Sequence, residues 1–510
     1  MRAARLIVTV GLLWACTLGW TVQTSNPGVS VIYAAGPGDN LDRDLAAVLS
    51  AAGFRGNLEE TLQRRLRPSL NPPLVELGHL LFFDNILGLH EDNSCAGCHS
   101  PGFGFGDSQS MAIGTQSNKV VGRDRAGPRN QRKAPMVINS AFIPKLMLNG
   151  RFEALSGDPF DNSLGFQFPP PEGLTRFPPG DRRFPTLLSA QGHIPETELV
   201  EMAGFNGARN NPFFNRRFWQ FDDGKGTKLP GDTDGDGFLN EEIRTVVLSK
   251  IRNTAGYLEP FRRAFGMKKV KNKNDITFAM VGQALSEYQT SLMFANAPID
   301  RFARGRWDAM TNGQKRGALL FFGKAGCTRC HDASNQMFSD YDNHVLGVPQ
   351  VAPVFGKGTG NVIFDGPDEN EDFGRAQITG EIADRYKFRT SPIRNVALQP
   401  AFFHDGAFTR LEDAVRHHLD ARASALAYDP EEAGVDEDLT HRLAPIRPIL
   451  KRLDPLMKNK IELSSVEFRD LMAFVRDGLL DPQATKEGLC SDVPTSVPSG
   501  IPVVKFQNCE

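Results

Sequence analysis

Apolar residues recur at helical spacing along this 510-residue chain. One run follows Asp275, which can cap a helix, and another follows the capping box Ser464-x-x-Glu467 and ends at Gly478. The alternation that is typical of strands is scarce, so the pattern predicts a mainly α-helical fold. The apolar positions of the two runs are Ile276, Met280, Ala284, Leu285, Tyr288 and Leu292, then Phe468, Leu471, Met472 and Val475.

Two short apolar runs are nearly identical, and each leads into a cysteine motif. Residues 78–83 read GHLLFF and residues 317–322 read GALLFF, and each is predicted to end an amphipathic helix. A second pair of similar segments follows in the same order. In the first half, residues 132–135 are followed by 148–152, and in the second half the corresponding residues 389–392 are followed by 404–408. The repeat predicts two homologous domains in tandem.

Each repeat carries one Cys-x-x-Cys-His motif, which is the attachment site of c-type haem. The two thiols form thioethers to the porphyrin and the histidine becomes the proximal iron ligand. A zinc knuckle or a redox dithiol would use the cysteines but would leave the adjacent histidine unexplained twice. The sequence therefore predicts two covalently bound haem c groups, held by Cys95, Cys98 and His99 and by Cys327, Cys330 and His331.

Charge, the N-terminal sequence and the remaining cysteines limit the possible binding partners and the cellular compartment of the protein. The net charge is −2 and no long basic run is present, which argues against a nucleic-acid partner. Arg2 and Arg5 precede an apolar run over 6–22, which predicts an export signal and a periplasmic protein. This segment is either cleaved or retained as an inner-membrane anchor. Cys490 and Cys509 are predicted to pair in that oxidising compartment.

Four segments are predicted from these signals. They are a signal peptide or anchor over 1–24, a first haem domain over 40–300, a second haem domain over 301–485, and a disulfide-stapled tail over 486–510. A stretch rich in Pro, Gly and Phe over 156–192 is predicted as a long loop insertion, and 25–40 and 481–510 as extended tails.

Over about residues 75–480 the chain resembles the bacterial di-haem cytochrome c peroxidase/MauG family. The matching segments are 77–83 before the first motif, then 387–396, 403–406 and 411–415 after the second. The resemblance implies two tandem cytochrome c-like domains. It also implies that the N-terminal haem reacts with peroxide and that the C-terminal haem relays electrons.

The resemblance also implies a catalytic group. Gln191, Pro195 and Glu201 match the family's acid–base motif, in which the carboxylate moves a proton between the two oxygens of peroxide. The alternative is that Glu201 is one of several solvated acids in 196–201. Thr115 stands where peroxidases that need reductive activation carry histidine, which implies an open first iron.

At the second haem, the family position of the sixth ligand falls on His418. The alternatives are the neighbouring His417, or no ligand at all if both are surface histidines. Leu148 stands where the family usually has a tryptophan between the haems, which leaves another electron route, through His404, open.

Calcium is expected in two places. Asp232, Asp234 and Asp236, followed by Gly237, match the start of an EF-hand loop, although position twelve is Ile243. The alternative is an acidic surface turn. The family also has a calcium ion between its domains, bound by carbonyls of a segment like 390–392 and by an asparagine, for which the register leaves Asn130 or Lys133 open.

Three functions remain open at this point. The leading hypothesis is a periplasmic di-haem peroxidase that reduces hydrogen peroxide with electrons from a small donor, such as a cytochrome c or a cupredoxin. The second is a MauG-like oxidase that modifies a partner protein. The third is a di-haem cytochrome that only transfers electrons.

Overall fold

The computed structural model describes residues 40–66, 70–204, 222, 225–353 and 364–510. The predicted export signal over 1–24 lies outside the described residues, as does most of the predicted tail over 25–40. The described residues belong to one compact unit, Pro37–Glu510. Within them, no helix combines the length and the apolar character needed to cross a bilayer.

The fold is mainly α-helical, as the sequence predicts. The helices are α1 (Asn40–Ala51), α2 (Leu58–Arg65), α3 (Pro72–Phe83), α4 (Cys95–Cys98), α5 (Gly173–Arg176), α6 (Leu187–Gln191), α7 (Asn240–Asn253), α8 (Ala255–Phe265), α9 (Phe278–Ser291), α10 (Pro298–Ala303), α11 (Asn312–Phe322), α12 (Ala376–Thr379), α13 (Leu411–Leu419), α14 (Ala421–Leu426), α15 (Ile446–Lys451), α16 (Ser465–Ala473) and α17 (Lys486–Cys490). The strands are β1 (Val120–Val121), β2 (Lys145–Leu146), β3 (Phe152–Ala154), β4 (Phe166–Gln167), β5 (Asn343–His344), β6 (Phe388–Arg389) and β7 (Lys505–Phe506).

The two nearly identical apolar runs both end helices that cross a second helix at a glycine. Helix α3 packs on α9 at Gly78, and a Cβ there would overlap the Ala284 carbonyl. Helix α11 packs on α16 at Gly317, where a Cβ would overlap the Asp470 carbonyl. Each glycine therefore lets two helix backbones approach closely, in the same place relative to its haem motif.

The predicted N-terminal cap is confirmed for α16, whereas α9 starts at a different residue from the one predicted. Ser464 and Glu467 form the predicted capping box of α16, with the Ser464 hydroxyl accepting from the Glu467 amide. Helix α9, however, is capped by Thr277, whose hydroxyl accepts from the Met280 amide. Asp275 instead closes a preceding 3₁₀ turn by accepting from the Asn272 amide. Thr277, which is nearer the apolar run, therefore caps the helix in place of the predicted Asp275.

The first described helix packs with residues of the second half of the chain, and the last described segment packs with residues of the first half. Leu45 and Leu49 of α1 belong to the core that contains Phe321 of α11. In the tail, Cys490 and Cys509 form the predicted disulfide, and Phe506 lies in the core around α3 and α9. Strand β7 pairs in parallel with β1. The tail is thus partly regular rather than extended, because its apolar residues find a core to cover; the predicted domain boundaries stay a prediction.

The predicted loop insertion also has more order than its composition indicates. Strands β2, β3 and β4 form an antiparallel sheet, and α5 and α6 follow. Phe152 stacks on Phe168 at 4.4 Å between ring centroids, and Phe177 contacts Phe184 edge to face. Burial of these rings in their own small core holds the segment in place and positions α6 for the site.

Candidate active site

The first haem motif begins with helix α4 and ends at His99. The Nδ1 of His99 lies 3.1 Å from the Phe105 carbonyl and 3.0 Å from the Pro135 carbonyl. Because carbonyls only accept, Nδ1 carries the proton and Nε2 is the atom left to bind a metal. Burial lowers the pKa of His99 to about 4, which favours the neutral, ligating form. Phe82 of α3 contacts the ring at 6.3 Å between centroids.

The second motif has the same surroundings. The Nδ1 of His331 donates to the Phe338 carbonyl at 3.0 Å, and Phe321 of α11 contacts its ring at 6.4 Å between centroids. Burial also lowers the pKa of His331 to about 4. The matching pairs of helix phenylalanine and backbone carbonyl show that the sequence repeat extends to the positioning of each histidine.

The four motif cysteines suit thioether formation. Cys95, Cys98, Cys327 and Cys330 are not joined in disulfides. Burial raises the pKa of Cys98 and of Cys327 to about 12, so these side chains stay protonated until they react. The residues present therefore fit two covalently attached haem groups.

His418 faces His331 across the second site. Both side chains line one apolar cavity, and their ring centroids lie 6.3 Å apart. Two imidazoles that bind one metal ion from opposite sides, each at about 2 Å, hold their ring centres about 6 Å apart. The His418 Nδ1 donates to the Ala414 carbonyl at 2.8 Å, which again leaves Nε2 for the metal. The geometry fits His418 as the second axial ligand.

His417 does not share this arrangement. Its Nε2 lies 3.0 Å from the Leu346 carbonyl and its Nδ1 lies 3.1 Å from the Ser424 hydroxyl. The side chain is fully buried, so both ring nitrogens are used within the fold. His417 is therefore a structural residue rather than a surface histidine.

The predicted acid–base residues lie on one continuous segment. Gln191 ends α6, Pro195 starts a 3₁₀ turn over Pro195–Thr197, and Glu201 lies in a π-helical turn over Leu199–Ala203. The Asn93 amide donates to the Glu201 carbonyl at 2.9 Å. This bond fixes the turn against the loop just before the first haem motif.

Glu201 can exchange a proton near neutral pH. Burial and the charge of Glu198 together raise its pKa to about 7, against the opposing effects of Arg151 and Asn130. A carboxyl with this pKa is protonated and ionised to similar extents at pH 7, as a general acid–base group requires. Its charge also contributes to the raised pKa of Cys98, after burial and the charge of Asp107.

Thr115 is fully buried beside the same turn. Its amide donates to the Val200 carbonyl at 3.0 Å, and its hydroxyl lies 3.5 Å from that carbonyl. A Cβ at Gly114 would overlap the Val200 carbonyl, so the approach of the two segments depends on this glycine. An open first iron stays a prediction.

Sequence reasoning missed Glu196. Its side chain is fully buried, and neither carboxyl oxygen has a hydrogen-bond partner among the described residues. Burial raises its pKa to about 8, with buried Arg244 opposing and Glu201 adding to the rise. After burial, the charge of Glu196 is the largest cause of the raised pKa of Cys95. The only signal in the sequence was the position of this acid directly after Pro195 of the predicted acid–base motif, and nothing there indicated its burial.

The wall between the two motifs contains a ring stack in place of a tryptophan. Leu148 lines the second cavity, as do Phe388 and His404. The rings of Phe388 and His404 stack with centroids 3.7 Å apart. Pro135, whose carbonyl accepts from His99, lines the same cavity. His99 is therefore one hydrogen bond from the wall of the second cavity.

The two candidates for the family's interdomain calcium serve other contacts. The Asn130 Oδ1 accepts from the Gln131 amide at 2.7 Å. The Lys133 ammonium donates to Gln399 at 2.5 Å inside the protein, and burial lowers its pKa to about 8. The Thr390 carbonyl accepts from Arg389 at 2.8 Å. Calcium at this place stays a prediction.

Comparison with known proteins identifies the family. A family model for di-haem cytochrome c peroxidase matches residues 72–308. A cytochrome c551 peroxidase of Pseudomonas aeruginosa is 31% identical over 369 residues, covering 72% of this chain and 77% of that protein. This chain belongs to the di-haem cytochrome c peroxidase family. It is accordingly an oxidoreductase with peroxidase-type and electron-transfer chemistry, and the family implies two haem c groups.

Two further relatives extend the comparison. The methylamine utilization protein MauG of Methylorubrum extorquens is 26% identical over 421 residues, covering 82% of this chain and 87% of that protein. The crystal structure of a MauG-like protein associated with microbial copper homeostasis superposes with a TM-score of 0.52 at 20% identity, covering 82% of this chain and 91% of that one. The structural match supports the fold. This chain is therefore similar in sequence both to cytochrome c peroxidases and to MauG proteins.

Proposed function

We propose that this member of the di-haem cytochrome c peroxidase family is a periplasmic peroxidase with two tandem cytochrome c-like domains. Hydrogen peroxide is reduced at the first haem, and electrons enter at the second from a small cytochrome c or cupredoxin. The difference between the two sites carries the proposal. His331 is faced by a second imidazole, His418, whereas the first motif lies beside Glu201, a carboxyl with a pKa of about 7.

The reaction consumes two electrons and two protons, because H₂O₂ + 2 e⁻ + 2 H⁺ gives 2 H₂O. When bound, the haem irons supply the one-electron redox steps and the site at which peroxide binds. The Glu201 carboxylate takes a proton from one peroxide oxygen and returns it to the other, so that the leaving oxygen departs as water. Asn93 holds the turn that carries this carboxylate.

Electrons pass between the sites through the wall they share. Leu148 offers no aromatic ring there, but the stacked rings of Phe388 and His404 line the second cavity. The Lys133 amide donates to the His404 carbonyl at 2.9 Å, and Pro135, two residues on, accepts from His99. We favour this route because it joins both sites by short contacts within the described chain.

A MauG-like oxidation of a partner protein is the second candidate. Thr115 favours it, because the hydroxyl replaces the histidine of peroxidases that need activation, and the relative of Methylorubrum extorquens is a MauG protein. Leu148 disfavours it, because the tryptophan position between the haems is aliphatic. Rapid turnover of peroxide with a small donor alone would favour the peroxidase.

The test is Glu201→Gln in the full-length protein, assayed with hydrogen peroxide and the dye donor ABTS. Loss of the proton carrier should slow turnover by about 10² to 10⁴ while the haem spectra stay nearly unchanged. Glu259→Gln is the matched control, because Glu259 is an exposed acid of α8 that is ion-paired with Arg262 at 2.6 Å and does not contribute to the pKa of Glu201. Turnover of the Glu201→Gln protein within a factor of about three of wild type would remove Glu201 from the mechanism.

A further inference from the structure

An acidic loop lies between the segment that carries Glu201 and helix α7. Asp232, Asp234 and Asp236 each direct a carboxylate oxygen to within 4.8 Å of the others, although all three residues are exposed. We propose that this loop, closed by Glu242 of α7, binds a calcium ion that is separate from the haem chemistry. The bound ion would stabilise helix α7, which supports the side of the first haem site where peroxide is proposed to bind.

The backbone of the loop is folded around one aspartate. The Asp232 carboxylate accepts from the Gly235 amide at 2.6 Å and from the Gly237 amide at 2.8 Å. The Asp236 carboxylate accepts from the Phe238 amide at 2.8 Å. These bonds fix the turn and hold one oxygen of each aspartate close to the other two. Such a turn would be an ordinary surface feature without a further observation.

Glu242 supplies that observation. It is 3% exposed, and its Oε1 accepts from the Thr233 amide at 2.7 Å, so the carboxylate faces the loop from α7. Its Oε2 is buried and has no hydrogen-bond partner within the described ranges. A buried carboxylate oxygen without a partner is costly, and a cation between it and the loop would compensate the cost.

The chemistry of the ligands selects the ion. Carboxylate and carbonyl oxygens in a flexible loop suit Ca²⁺, which accepts six to eight oxygens, better than Mg²⁺, which demands a rigid octahedron. The usual glutamate at position twelve is replaced by Ile243, which is 2% exposed in the core. Glu242, one position earlier, takes its place from the inner side. With this substitution we expect the weak affinity of extracellular calcium modules, about 10⁻⁴ to 10⁻³ M.

Calcium bound at this loop would affect the first haem site through the contacts of helix α7. Ile243 and Val247 lie in the core around α3 and α9. Arg244, one turn into the helix, donates from Nε to the His193 carbonyl at 2.9 Å. His193 leads directly into the Pro195–Thr197 turn. Fixing the start of α7 therefore stabilises the segment on which Glu196 and Glu201 lie.

The experiment titrates the chelator-treated holoprotein with CaCl₂ by isothermal calorimetry, beside the double variant D234N/D236N. We expect the variant to bind one calcium ion fewer than wild type. The melting temperature of wild type should rise by several degrees in excess calcium, and less in the variant. The control D44N changes an exposed aspartate of α1 and should behave as wild type.

A second variant, E242Q, separates the buried ligand from the exposed acids. It should weaken calcium binding at least tenfold without removing the three aspartates. Equal stoichiometry and affinity in wild type and D234N/D236N would overturn the site, and unchanged affinity in E242Q would overturn the role of Glu242. Because binding is measured without peroxide, neither result depends on the proposed peroxidase function.

Discussion

Glu196 offers a quantitative test of the structure, because it is a fully buried acid with no hydrogen-bond partner in the described part of the chain. The perturbation is Glu196→Gln, which keeps the shape of the side chain and removes its ionisation. Burial raises the pKa of the native carboxyl to about 8 from the ordinary 4.5. This difference corresponds to about 5 kcal/mol between the two protonation states, as an upper bound.

The sign follows from proton uptake. Between pH 4.5 and 8 the folded protein holds a proton on Glu196 that the unfolded chain has lost. Stability of the wild type therefore falls as pH rises through this window, by up to about 1.4 kcal/mol per pH unit. Glutamine does not titrate, so E196Q lacks this loss. The melting temperature of E196Q minus that of wild type should increase steadily from pH 5 to pH 8.

The assay is thermal unfolding of both proteins across that pH range, with Glu467→Gln as the control. Glu467 is partly exposed at the surface, and hydrogen bonds from Lys324 and the Ser464 amide lower its pKa to about 2. Its stabilising effect is complete above the ordinary pKa and is lost only as pH falls towards 2. The E467Q difference should thus stay constant from pH 5 to 8. A constant difference for E196Q as well would refute the buried, unpaired state of Glu196.

Two further predictions address the second haem and the helix crossings. His418→Ala should convert a low-spin ferric haem to high-spin in the electron paramagnetic resonance spectrum, whereas His417→Ala should destabilise the fold and leave the ligand in place; the opposite result would mean that the register is wrong by one. Gly317→Ala should lower the free energy of unfolding by about 1 to 3 kcal/mol, because a Cβ overlaps the Asp470 carbonyl. Gly313→Ala in the same helix meets only side-chain atoms and should be neutral or slightly stabilising, so equal effects of the two substitutions in denaturation experiments would contradict the crossing.

Local signals in the sequence predicted the parts of the site that depend on short segments. The spacing within each haem motif fixes the geometry of its cysteines and histidine, and the capping box of α16 is made by residues three apart. Gln191, Pro195 and Glu201 lie on successive short helical turns, and their catalytic register stays a prediction. In each case the residues that decide the structure are neighbours in the chain.

Contacts between distant segments could not be predicted in the same way. The buried state of Glu196 depends on Arg244 and on the α7 helix, and nothing near residue 196 encodes either. Similarly, α1 packs on α11, and Phe506 of the tail packs on Phe83, because complementary apolar surfaces meet only in the folded chain. Pattern reasoning therefore treats such residues as ends and loops.

The same distinction explains why the two histidines at the end of α13 needed the structure. They are adjacent, equally polar and equally basic in sequence, and one residue of helical rotation separates them. His417 is turned towards the Leu346 carbonyl, which comes from a segment 71 residues earlier, and His418 is turned towards His331. The position of that carbonyl decides which imidazole has both ring nitrogens hydrogen-bonded within the protein and which keeps one nitrogen free to bind iron. Burial alone would have chosen His417, which is fully buried; the available nitrogen, rather than the degree of burial, identifies the ligand.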